Sequence, residues 1–155
     1  SYQQTYRDEI VGAADNCCTF AVEFLELQAE RAEKTPVARD SPEWNELARI
    51  ARNILVAAFT KPDTRQTLRY MHTQASLHAG LRWNKGTTFV ANHMLDFEHA
   101  SGALSYCHAF FTEGFIANIV NAGHIKLGEL NGCATTSSPV EAVKMLRAMG
   151  SKPPS

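Results

Sequence analysis

"SPEWNELARIARNILVAAFTKP", residues 41 to 62, reads as one complete helix with its start and stop signals included. Ser41 offers the N-cap oxygen, Pro42 suits the first turn and Glu43 lies near the positive end of the helix dipole. Trp44, Leu47, Ala48, Ala51, Ile54, Leu55 and Ala58 recur at three-and-four spacing and form one apolar face. Ile50 and Ala57 add a second apolar strip, so this helix is expected to be central. Lys61-Pro62 ends it, because the residue before a proline is pushed out of the helical region.

The same pattern extends in both directions. Upstream, "EIVGAADNCCTFAVEFLELQAE" (residues 9–30) places Ile10, Ala14, Cys17, Cys18, Ala21, Phe24, Leu25 and Gln28 on one face, and Thr35-Pro36 predicts a helix end near Lys34. Downstream, Asp63 can cap a helix from roughly Thr64 to Trp83, which "NKG" (residues 84–86) terminates. A further helix is expected to start near Thr87 or Thr88. It runs through "FVANHMLDFEHA", with an interruption at Ser101-Gly102, and continues to Gly123. "HIKLGELNGCATTS" reads as loop, and "SSPVEAVKMLRAMG" carries Ser138, Pro139 and Glu141 in capping-box register with Gly150 as terminator. No window alternates with period two. The pattern predicts an all-α, single-domain bundle of five to six helices over residues 1–150, in a bundle-like or globin-like arrangement and without a sheet. Residues 151–155, "SKPPS", form a short polar tail.

Bulk properties narrow the class. At 155 residues the chain can bury one core. No apolar run approaches the roughly 18 residues of a membrane span, and no charged-then-apolar leader opens the chain. Cys17, Cys18, Cys107 and Cys133 lack metal or disulfide spacing, so reduced thiols, a cytoplasmic location and no membrane partner are the expectation. The formal net charge of −1 hides an asymmetry: residues 1–33 carry seven acids against two bases, whereas residues 34–90 carry nine bases against four acids.

"NHMLDFEHASGALSYCHAFF" (residues 92–111) concentrates three histidines, two carboxylates and a cysteine. His93, Asp96 and His99 are the candidate metal ligands, since metal sites on helices need side chains three or four residues apart. At about 100° per residue, however, His93 and His99 diverge by about 120°. A site would need another helix, through His72 or Cys133 for instance. A continuous helix would instead place Val90, Met94, Phe97, Leu104, His108, Phe111 and Phe115 on one core-facing side. Phosphate-loop, dinucleotide, nucleophile-elbow and zincin motifs are missing, and no catalytic residue is assigned. "NGCATTS" holds Cys133 among small residues, as a nucleophile loop or a small buried thiol would.

Two features carry binding chemistry. Arg65, Arg69, His72 and Ser76 fall within a narrow arc of one helix, with Arg49 and Arg52 on the preceding one and Arg82 and Lys85 at an end. Adjacent guanidinium forks suit phosphates, and Tyr70 or Trp83 could stack on a base. "LVAAF" (residues 55–59) followed by "DTR" (residues 63–65) resembles a stretch of tobamovirus coat proteins. These are helical proteins of this size that coat RNA, and the match covers under a dozen residues at a different spacing. His78, on the side of Met71 and Ala75 and followed by a helix stop, resembles the proximal segment of globins, which would make it a haem ligand. This chain departs from globins at Gln28, where they carry a phenylalanine (Phe24 is close), and in having Arg49 or Arg52 near the distal position.

The resulting expectation is a non-catalytic interaction or assembly protein, a homo-oligomer whose basic strip docks an anionic partner such as RNA. Trp83, Tyr2, Tyr6 and Phe110 are the candidate interface aromatics. No cofactor is expected. A haem protein using His78 and an enzyme with a spatially assembled His/Asp or Cys/His site are the alternatives.

Overall fold

The computed structural model describes every residue except 36, 85, 87–89, 91 and 152–155. It is all-α. The described residues form α1 (Tyr2–Arg31), α2 (Pro42–Ala58), α3 (Pro62–Thr67), α4 (Arg69–Trp83), α5 (Asn92–Tyr106), β1 (Ala109–Phe111), α6 (Gly114–Val120), α7 (Leu127–Asn131), β2 (Ala134–Thr136) and α8 (Pro139–Gly150). Among the described residues no helix is long and apolar enough to cross a membrane.

The capping signals act as their chemistry requires. Ser41 Oγ accepts from the Trp44 amide at 3.1 Å, and Ser138 Oγ accepts from the Glu141 amide at 3.4 Å. The segment expected to be one helix from Thr64 to Trp83 is instead divided at Leu68, whose φ of −103° and ψ of 56° leave the helical well. Thr67 Oγ1 donates to the Asp63 carbonyl at 3.1 Å, a local bond that competes with the helix ladder and bends it.

The next helix runs through Ser101-Gly102 without a break but stops at Tyr106. Its expected start near Thr87 or Thr88 lies outside the described residues. Beyond it, β1 pairs in parallel with β2, Ala109 opposite Ala134 and Phe111 opposite Thr136. The ladder is flanked by bonds from the Ala134 amide to the His108 carbonyl and from the Thr112 amide to the Thr136 carbonyl. Three residues per strand are too few to show an alternation, and aromatic and threonine residues suit a strand better than a helix. His108 and Phe111 therefore leave the face on which a continuous helix would have placed them.

The central helix is α4, not α2. Only Trp44 of α2 is fully buried, while nine of the fifteen residues of α4 are. One side of α4 (Met71, Ala75, Ala79) packs with Tyr6, Ile10, Ala13, Ala14 and Phe59. The other side (Leu77, Leu81) packs with Phe97, Leu104, Ile116, Val120, Leu127 and Cys133. A helix covered on both sides has to be apolar or internally satisfied all round. Its polar residues obey this: Thr73 Oγ1 accepts from Asn131 Nδ2 at 3.0 Å, and His72 Nδ1 shares a 2.6 Å hydrogen bond with the Tyr6 hydroxyl.

On α5, Ser101 is fully buried and its Oγ has no hydrogen-bond partner among the described residues. A desolvated hydroxyl without a partner destabilises a fold. Ser101→Ala is therefore expected to raise stability by about 1 kcal/mol, some 2–4 °C in Tm for a chain of this size. A thermal melt in which the variant unfolds at or below the native temperature would contradict this.

Candidate functional site

The arginine strip has a definite set of partners. Arg52 pairs with Asp15, Arg82 with Glu9 and Arg39 with Glu23, so three carboxylates of α1 meet three bases of the segment that follows. This is where the charge asymmetry of the chain goes. Arg49 holds Glu46 one turn away through two bonds, at 2.8 and 2.6 Å. Exposed pairs of this kind contribute little to stability, but they occupy the forks that a phosphate would need. Arg69 is exposed and donates through Nε to the Gln66 carbonyl at 3.1 Å. Lys85 lies outside the described residues.

His72 and Ser76, expected on the same polar arc, are buried. Arg65 holds its guanidinium over the Tyr6 ring, 5.3 Å from the centroid. Burial, reinforced by the Arg65 charge, depresses His72 to about 4, so its imidazole is neutral at neutral pH. Burial likewise raises the Tyr6 hydroxyl, which keeps its proton.

The candidate metal ligands point to different places. The His93 ring stacks on Phe115 at 4.6 Å between centroids, Asp96 is half-buried and His99 is exposed. Among the described residues no group of three or more histidines, cysteines or carboxylates converges to hold a metal ion. His78 meets Phe97 edge to face, 5.1 Å between centroids. It borders an open cleft of about 360 Å³ lined also by Glu9, Asp15, Asn16 and Gln74. Gly12, Ala13 and Ala75 complete the lining, which is thus half polar and offers no broad apolar wall to a porphyrin face. Cys133 is buried, and desolvation pushes its thiol upward, with Cys107 adding to the effect, so it is not activated as a thiolate.

A different feature emerges on α1. Tyr6, Ile10, Ala13, Cys17, Phe20, Phe24 and Leu27 recur at alternating four- and three-residue intervals, the spacing of a helix–helix seam. The first half is core: Tyr6, Ile10 and Ala13 are 7 %, 3 % and 7 % exposed. The second half is not: Phe20, Phe24 and Leu27 are 69 %, 61 % and 46 % exposed. The cause is length. At 1.5 Å per residue α1 extends about 45 Å, twice the reach of the 15-residue α4 that covers its first half. The second half is nevertheless held to the body, since Val22, off the seam, is fully buried and Glu23 pairs with Arg39. Phe20, Phe24 and Leu27 thus form a continuous exposed apolar stripe on an anchored helix.

The face expected on α1, Ile10, Ala14, Cys17, Cys18, Ala21, Phe24, Leu25 and Gln28, shares Ile10, Cys17 and Phe24 with this seam but extends to one side of it. Phe20 and Leu27 were missed. The four-three rhythm starting at Tyr6 is the available signal, and Tyr6, expected at the surface, is buried. Of the other candidate interface aromatics, Trp83 is exposed, while Tyr2 and Phe110 are half-buried.

A second apolar face lies on α8. No residue of this helix is buried, and Val140, Val143, Leu146 and Met149 are all exposed. Its main attachment is to β2. Set against protein-family models, curated proteins and solved structures, the chain matches none of them.

Proposed function

We propose that the chain is a non-catalytic helical interaction module that self-associates, with the exposed half of the α1 seam as its docking face and a helix of a second copy as the occupant. The observation that carries this reading is the continuity of the seam, since the residues that pack on α4 recur in the same register beyond the end of α4. The chain also offers a matching occupant in α8. The exposed half of α1 carries Glu30 besides Glu23, which already pairs with Arg39, whereas α8 carries Arg147 beside its apolar residues and Lys144, which already pairs with Glu141. A two-fold dimer makes that contact twice.

Magnitudes favour a modest affinity. Full burial of a Phe or Leu side chain contributes about 1.5–3 kcal/mol, and association itself costs at least about 4 kcal/mol. Because these anchors are only partly exposed beforehand, two reciprocal contacts of three each leave a weak dimer, with a dissociation constant on the order of tens to hundreds of micromolar. Sedimentation equilibrium from micromolar to hundreds of micromolar should show a reversible dimer. Phe24→Glu should give a monomer with an unchanged far-ultraviolet spectrum, because Phe24 makes no core contact. Native protein that stays monomeric throughout, or a variant that dimerises as well as the native chain, would rule the reading out.

Docking of an anionic partner, RNA included, rests on Arg69, the described strip residue that is exposed and without a carboxylate. Binding that weakens steeply with salt, with a shallower slope in Arg69→Ala, would support that role.

A further inference from the structure

A separate cleft opens at the other end of α1, against the α2–α3 junction, with a volume of about 270 Å³. Ile10, Val11, Val56 and Phe59 form the apolar part of its walls, Gln3, Tyr6 and Thr60 lie between them, and Arg7 and Arg65 complete the lining. Among the described residues neither arginine has a carboxylate partner, although Arg49, Arg52 and Arg82 each do. Arg65 is held in place by the Tyr6 ring, and its Nε is buried without a hydrogen-bond partner. The buried Nε is out of reach of the cleft, but a guanidinium held over an aromatic ring with no carboxylate beside it leaves its terminal N–H groups to an anion.

From this arrangement we infer that the cleft is a binding site for a small aliphatic monocarboxylate, its head between Arg7 and Arg65 and its chain along Ile10, Val56 and Phe59. A planar carboxylate matches the guanidinium fork through two parallel bonds. The apolar walls ask for a hydrocarbon tail, and the volume limits its length. At about 30 Å³ per water-sized group, 270 Å³ accommodates roughly nine such groups. An eight-carbon chain fits this limit, and a long-chain lipid exceeds it. The site is remote from Phe20, Phe24 and Leu27, so it stands or falls independently of self-association.

Calorimetric titration of the full chain with octanoate tests the inference, with octanol, acetate and inorganic phosphate as comparison probes. Octanoate is expected to bind saturably with one-to-one stoichiometry. Octanol lacks the charge and acetate and phosphate lack the tail, so each should bind at least about tenfold more weakly. Arg65→Gln should weaken octanoate by about tenfold or more. Arg7→Gln, at an exposed position that leaves folding intact, should do likewise, which keeps the test decisive if the Arg65 variant is unstable. Equal binding of octanol and octanoate, tighter binding of phosphate, no saturable binding, or unchanged affinity in Arg7→Gln would each overturn the assignment.

Discussion

Replacing Phe97 by alanine is expected to lower stability by about 3–5 kcal/mol, the largest effect of any single truncation argued here. Phe97 is 1 % exposed and lies on the α5 side of the cluster it forms with Leu77, Leu104, Ile116 and Leu127. Its ring also meets His78 edge to face and stacks with His93, at centroid distances of 5.1 and 6.5 Å. Truncation removes the transfer free energy of the ring and leaves a cavity between helices that cannot fully collapse. Domains of this kind are typically stable by about 5–15 kcal/mol, so the loss takes a large fraction of the total. Urea unfolding should show a lower midpoint with little change in slope. Leu95→Ala, two residues away on the exposed side, should stay within about 0.5 kcal/mol. If the two variants unfold alike, the core has been assigned to the wrong side of α5.

The second large effect is a loss of stability in mild acid that traces to His72. Its imidazole is held near 4 when folded, through burial first and the Arg65 charge second, against an ordinary value of 6.5. Between those values the unfolded chain binds a proton that the folded chain does not. Stability from this group is therefore complete above about pH 6.5 and is lost as pH falls towards 4, at up to 1.36 kcal/mol per unit. The full window amounts to about 3 kcal/mol. His72→Gln keeps a hydrogen-bonding group beside Tyr6 but cannot titrate. Stability measured from pH 7 to pH 4.5 should therefore fall more steeply for the native chain than for the variant. Parallel curves would show that His72 is protonated, or reaches solvent, in the folded state.

Both effects depend on α4 being central, which is the point on which sequence and structure part most clearly. The stretch after Ser41 has the stronger apolar periodicity, and a periodic face is what a one-sided helix produces. A helix buried on two sides shows no such face, because Met71, Ala75 and Ala79 serve one cluster while Leu77 and Leu81 serve another. The weaker pattern thus belonged to the more deeply buried helix. The burial of His72 and Ser76 escapes the sequence for the same reason: a polar residue on an apolar background looks solvent-facing until a partner such as Tyr6, sixty-six positions from His72, is in place.

The all-α class, the Ser41 and Ser138 caps and the uneven charge distribution were legible in the sequence alone, because capping, proline geometry and helical periodicity act over four or five residues. Which helix lies at the centre, which arginines meet carboxylates, where α1 outruns its cover and how β1 finds β2 depended on contacts between residues far apart in the chain. Helix length and composition set what each segment can bury, but only packing decides which partner covers it and which half of a seam stays exposed.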